Sequence, residues 1–213
     1  MTAPPAPSDP DKASGWRGSR ELWLEAARTV LVDQGVEAVK IQPLAKSLGL
    51  SRTSFYWFFK DRDALLQALL EDWETTNTGA LEAACSAYAA TLAEAVLNVI
   101  GVFLHGGGFD ERLDFAVRGW AHGDAAVMAR VNAADARRLE ALCQLFVRFG
   151  VTEPEADVRA RTVYLVQMGY ISLQVEESLE TRLARIPSYV KTYAGQEPSD
   201  EEMARFTARV SAG

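Results

Sequence analysis

Apolar residues return every third or fourth position along nearly the whole chain, the spacing of one buried helical face. Trp23, Ala26, Ala27, Val30 and Leu31 form the first such run, which stops at Gly35 and predicts a helix starting near Ser19. Ile41, Leu44, Ala45 and Leu48 predict a short second helix ended by Gly49. Ser51 then caps a third over Arg52 to Phe58, and Asp61 caps a long fourth. Thr91 with Glu94 has capping-box spacing and opens a helix to about Leu104, closed by Gly106-Gly107-Gly108. A short helix is expected over Glu111 to Ala121, and Asp124 caps a long one running to Phe149. Thr152 with Glu155 repeats the box and starts the next, with Pro154 early, where proline is tolerated. After about Glu177 come a proline-interrupted segment through Tyr193, a stop at Gly195 and a last helix capped by Ser199 with Glu202. With no strand alternation anywhere, the expectation is an all-α fold of about nine helices.

One stretch resists a simple inside-outside pattern: SRTSFYWFFKDRDAL places Phe55, Tyr56, Trp57, Phe58 and Phe59 in sequence. One helix face cannot hold five consecutive residues. Phe55 and Phe59, four apart, suit the inner side, which turns Tyr56 and Trp57 outward and sends Phe58 toward the first or the fourth helix. Leu44, Ala45 and Leu48 on one helix, Gly49 at a tight turn and Leu50 at the corner complete helix-turn-helix spacing. Such a unit presents its second helix to the major groove of DNA, and outward Tyr and Trp rings with polar tips suit phosphate and sugar.

Charge sharpens this reading. The net charge is -7, yet from Lys12 to Arg62 nine basic residues stand against five acidic ones, and the acidic excess falls after them. A basic segment on an acidic body is an electrostatic footprint for phosphate, although an excess this small also arises by chance. Residues 1–15 hold half of the eight prolines and little to bury, so they are expected to form a disordered arm. The start lacks the apolar run of a secretory signal, no stretch reaches a membrane span, and Cys85 and Cys143 are expected as reduced residues inside helices. These traits predict a cytoplasmic protein.

From about Arg20 to Trp73, including EAARTVLVDQGVEAVKIQPLAKSLGLSRTSFYWFFKDRDALL, the chain resembles the DNA-binding domain of the TetR family of bacterial transcriptional regulators. Ala26-Ala27, Gly35, Leu44-Ala45, Leu48-Gly49, Tyr56, Phe59 and Asp63-Ala64-Leu65 carry the resemblance. It implies a three-helix DNA-binding domain over 16–62 and a larger helical effector-binding and dimerisation domain over 63–213. It implies base-edge readers at Gln42, Arg52, Thr53 and Ser54 with Tyr56 and Trp57 beside them, and phosphate contacts at Lys40, Lys60 and Arg62. Arg52 suits guanine and Gln42 adenine by donor and acceptor geometry. Phe58 stands where many members carry a phosphate-binding histidine, so one such contact is expected to be missing.

The resemblance further implies a homodimer, built by helices near 154–177 and 198–211, that binds a near-palindromic double-stranded DNA operator as a repressor and is released by a small apolar effector. Apolar residues cover most of the circumference of TVYLVQMGYISLQV, which suits a helix buried on one side in its own subunit and on the other against a twin; a central core helix would read the same. Candidate effector contacts are Trp73, Asn98, Phe103, Phe115, Trp120, His122, Met128, Tyr164, Gln167 and Met168, residue types that equally fill a plain core.

An enzyme is disfavoured. His105-Gly106-Gly107-Gly108 is similar to the oxyanion loop of some esterases, but no serine sits in a G-x-S-x-G setting and the strands of that fold are missing. Two histidines and two distant cysteines leave no pattern for a metal site, and no cofactor is implied. The remaining rival is a helical protein-interaction or ligand-sensing module without sequence-specific DNA binding.

Overall fold

The computed structural model describes residues 18–104 and 106–211; the arm expected over 1–15 and His105 lie outside the described residues. Helix α1 (Arg20–Gln34) is capped by Ser19, whose hydroxyl accepts from the Leu22 amide, and ends at Gly35. A 3-10 turn (Val36–Ala38) leads to α2 (Ile41–Ser47) and α3 (Arg52–Phe55), followed by α4 (Arg62–Trp73), whose Asp61 cap accepts from Ala64. Helix α3 is shorter than expected. After Phe55 the chain continues as a turn, in which Phe58 and Phe59 donate their amides to the Phe55 carbonyl.

Helix α4 does not stop at Trp73. It passes through a π turn (Glu74–Thr78) into α5 (Gly79–Ser86). Then follow α6 (Leu92–Val102), α7 (Glu111–Ala121), α8 (Ala125–Arg148), α9 (Glu153–Ser172), α10 (Leu179–Ala194) and α11 (Asp200–Ser211). With α4 and α5 taken as one continuous helix, the described residues form ten α-helices and no strand. Cys85 in α5 and Cys143 in α8 are free thiols.

Two local expectations need correction. Pro187 does not interrupt its segment: α10 runs unbroken past it, with Ile186, Val190 and Tyr193 buried on one face. That burial outweighs the missing amide hydrogen bond. Thr152 opens α9 without a side-chain capping bond, whereas at Ser199 the full reciprocal box forms: the Glu202 amide donates to Ser199 Oγ and the Ser199 amide to the Glu202 carboxylate.

The apolar side chains gather in two clusters. One joins α1 to α4 with the inner faces of α7 and the first half of α8, through Trp23, Phe55, Phe59, Trp73, Leu113, Val117, Val127 and Val131. The other joins α5, α6, the second half of α8, α9, α10 and α11, through Leu97, Phe103, Leu142, Phe146, Val163, Val190 and Phe206. Helix α8, at about 1.5 Å per residue, is long enough to serve both.

Polar side chains from α4, the π turn, α7, α8 and α9 are buried where the clusters meet. Arg138 and Asp114 are both fully buried and lie 3.1 Å apart. Arg138 Nε donates to Thr78 Oγ1, and the Trp73 indole donates to Asp114 Oδ1 at 2.9 Å. The Arg118 guanidinium bridges Asp114 and Asp135, and the Tyr164 hydroxyl donates to Asp135 Oδ1 at 2.6 Å. Burial acts against the Asp114 charge, but Arg118 and Arg138 outweigh it and hold the carboxyl below its ordinary range. The π turn is pinned as well: the Asn77 amide donates to the Asp110 carbonyl and accepts from the Asp110 amide, and Arg130 pairs with Glu74.

Candidate nucleic-acid interface and effector region

The expected readers of DNA depend on how α3 is anchored.

 The Phe55 ring meets Trp23 edge-on at 5.3 Å and stacks on Phe59 at 5.5 Å, and all three are buried. Ser51 caps the helix, its hydroxyl accepting from the Ser54 amide, and Gly49 supplies the φ of +65° that lets Leu50 donate back to the Ala45 carbonyl at 2.9 Å. With Phe55 and Phe59 held from behind, Tyr56 and Trp57 face outward at 46% and 63% exposure, as their spacing predicts. Phe58 is partly buried against the same cluster.

Gln42, Arg52, Thr53, Lys40 and Lys60 are exposed around these rings. Lys40, Gln42, Arg52 and Arg62 line one shallow depression of about 750 Å³ on the α2 and α3 side. The Arg52 guanidinium donates to the Tyr56 hydroxyl. Two of the expected contacts look inward instead. Ser54 is buried and its hydroxyl donates to the Ser51 carbonyl at 2.6 Å, because it shares the inner side of a very short helix with Phe55. Arg62 donates from Nε to the Val39 carbonyl and from Nη2 to the Val36 carbonyl, both at 2.7 Å, so it braces the turn after α1 against α4. One residue was missed: Lys46 is exposed and lines the same depression. Its position four residues after Gln42, on the same helical face, is the signal that points to it.

The expected effector contacts do not converge on one cavity. Trp73, Tyr164 and Met168 take part in the buried polar junction, where Arg118 Nη2 lies 3.4 Å from Met168 Sδ. Phe103 packs on Phe109, with ring centres 4.8 Å apart. Trp120 and Met128 pack partly buried against the first cluster, and Trp120 borders a groove of about 340 Å³ with Leu66 and Arg130. Phe115 and His122 are exposed, with His122 Nδ1 2.7 Å from the Arg118 carbonyl oxygen. Asn98 accepts from Arg209 and borders an open groove of about 570 Å³ between α5, α6 and α11. Gln167 lines a separate cleft beside α10. Among the described residues no cluster of three metal-capable side chains occurs, and no helix is long and apolar enough to cross a membrane.

The model of the bacterial regulatory proteins of the tetR family matches residues 24–69, which contain the helix-turn-helix just described. Over these residues the chain is similar to the TetR family. The tetracycline repressor protein class C of Escherichia coli is 40% identical to this chain over 58 residues, 27% of this chain and 26% of that protein. The match thus spans about a quarter of that relative's length. Over the rest, solved structures show the likeness of fold. The chain is similar to Mycobacterium smegmatis AmtR with a TM-score of 0.61 at 18% identity, covering 95% of this chain and 98% of that one. It is similar to the fatty acid degradation regulator FadR from Bacillus halodurans with a TM-score of 0.62 at 13% identity, covering 86% and 97%. The chain thus joins an all-helical fold to an N-terminal helix-turn-helix segment that matches the tetR family model.

Proposed function

We propose that this regulator is a repressor that binds a near-palindromic operator as a homodimer and leaves it when a small, largely apolar effector binds. The observation that carries the DNA-reading part is the orientation of α3: Phe55 and Phe59 are buried while Tyr56 and Trp57 face outward among Lys40, Gln42, Arg52, Thr53 and Lys60. In this reading residues 16–62 form the reading head, residues 63–213 carry the effector and dimer functions, and the chain acts in the cytoplasm, where its DNA is. It has no catalytic role.

Support for the homodimer comes from α9. Val158 and Leu165 are 62% and 60% exposed, with Thr162 exposed between them, so an apolar stripe lies open on the face opposite the buried Val163 and Met168. A second copy laid on this stripe, with α11 beside it, would set two reading heads about 34 Å apart on one side of a duplex. Selection of bound fragments from a random DNA library tests the proposal, followed by titration of the selected duplex at rising salt. A near-palindromic consensus and a steep, log-linear loss of affinity are expected. Flat salt dependence with no consensus would instead favour a helical interaction module.

A further inference from the structure

The cleft bordered by α6, α9 and α10 differs from the other concave surfaces in having a buried polar side chain without a partner. Gln167 is 7% exposed and lines the cleft, yet its amide makes no hydrogen bond among the described residues. The amide therefore faces the solvent of the cleft and is available to a ligand that accepts from it or donates to it. Arg182 lines the same cleft. Its guanidinium forms a long ion pair with Glu111 at 3.8 Å and lies 5.2 Å from the centre of the Tyr170 ring. Burial raises the Glu111 pKa, against the pull of Arg182.

The neighbouring charges are already paired. Arg185 is bonded to Glu177, and the Tyr170 and Tyr189 hydroxyls lie 3.2 Å apart. What stays available is therefore one amide and a guanidinium held only by its long pair with Glu111, beside a wall of Ile100, Leu104 and Ile186. A guanidinium matches a carboxylate with two parallel hydrogen bonds, and an amide N–H can supply a third. We infer that Gln167 and Arg182 form the head-group site for a small organic carboxylate whose hydrocarbon lies along Ile100, Leu104 and Ile186. The inference rests on the effector reading above and replaces a wholly apolar effector with an amphipathic acid. The enclosed space is about 20 Å³, room for one water, and about 350 Å³ when the open mouth is included. A carboxylate therefore enters as Arg182 swings off the Tyr170 ring, a side-chain movement at a partly exposed position.

The test is calorimetric titration of the full chain with butanoate, hexanoate, octanoate and benzoate, with hexan-1-ol as the neutral counterpart. At least one acid should bind, with hexan-1-ol weaker by about tenfold or more, and Arg182→Gln and Gln167→Leu should each lose about tenfold. Because Gln167→Leu alters a buried position, its thermal midpoint is checked, and Arg182→Gln, at the cleft mouth, carries the test if the former misfolds. Equal affinity for hexanoate and hexan-1-ol would overturn the site. So would acid binding unchanged by Arg182→Gln, or a crystal grown in hexanoate with only a water on Gln167. Operator binding is measured in parallel. Intact DNA binding without acid binding defeats this site alone, while acid binding that leaves DNA affinity unchanged supports the site and removes its role in release.

Discussion

The Arg52 guanidinium donates to the Tyr56 hydroxyl at 3.1 Å and lies 5.9 Å from the centre of the same ring. The pair is four residues apart, on the exposed side of the reading segment. An arginine steadied in this way loses less rotamer freedom when it meets a base edge. Arg52→Ala is expected to relax preference at one operator position by about 1–3 kcal/mol, the worth of a bidentate base contact. Tyr56→Phe keeps the ring and should relax the same position by less. Competition binding against operators altered one base at a time checks both, and a loss spread evenly over all positions would refute the assignment.

Phosphate contacts should show themselves through salt. Lys46→Ala and Lys60→Ala are each expected to weaken binding to every sequence alike and to lower the log-log salt slope by about one. Arg62→Ala should leave that slope unchanged and lower stability instead, because its donors already serve the Val36 and Val39 carbonyls. Operator titrations at several salt concentrations, with thermal melts alongside, separate the two outcomes.

The buried junction predicts a large stability effect. Asp114→Ala removes the nearer carboxylate from the buried Arg138, leaving only Asp135 at 3.7 Å, and should cost about 3 kcal/mol, read from urea unfolding. Its pH dependence has a definite sign. Arg118 and Arg138 outweigh burial and depress the folded pKa of Asp114, so its contribution is present above the ordinary carboxylate range and is lost as pH falls through the folded value. The native chain should therefore weaken in acid more steeply than Asp114→Asn, and parallel acid curves would count against the assignment.

If α9 joins two copies, Leu165→Glu places a charge in the contact. The expected outcome is a monomer in sedimentation at micromolar concentration, with an unchanged helical spectrum and weakened operator binding. A dimer that survives both Leu165→Glu and Val158→Glu would move the interface elsewhere.

Most helix starts were legible because a cap is a local event. Ser19, Ser51, Asp61, Asp124 and Ser199 each bond an amide two or three residues ahead. The outward turn of Tyr56 and Trp57 was legible for a similar reason, since two phenylalanines four apart orient the intervening rings. Pro187 misled because its local penalty is visible in the chain, while the burial of Ile186, Val190 and Tyr193 that offsets it depends on distant partners. The π turn gave no warning either. Its partners are Asp110, the cap of α7, and Arg130 and Arg138 of α8.

The candidate effector list shows where periodicity runs out. Helical spacing says that Trp73 and Tyr164 point inward, but not that both join an ion network, nor that Gln167 would face a different cleft. Local order in this chain, the caps, the glycine turn and the reading segment, follows from interactions between residues a few positions apart, and those are written into any short window. The junction of Arg138 with Asp114, the inward use of Arg62 and the meeting of Gln167 and Arg182 in one cleft arise only when separate helices are packed together. Desolvation and the geometry of that packing choose each polar partner.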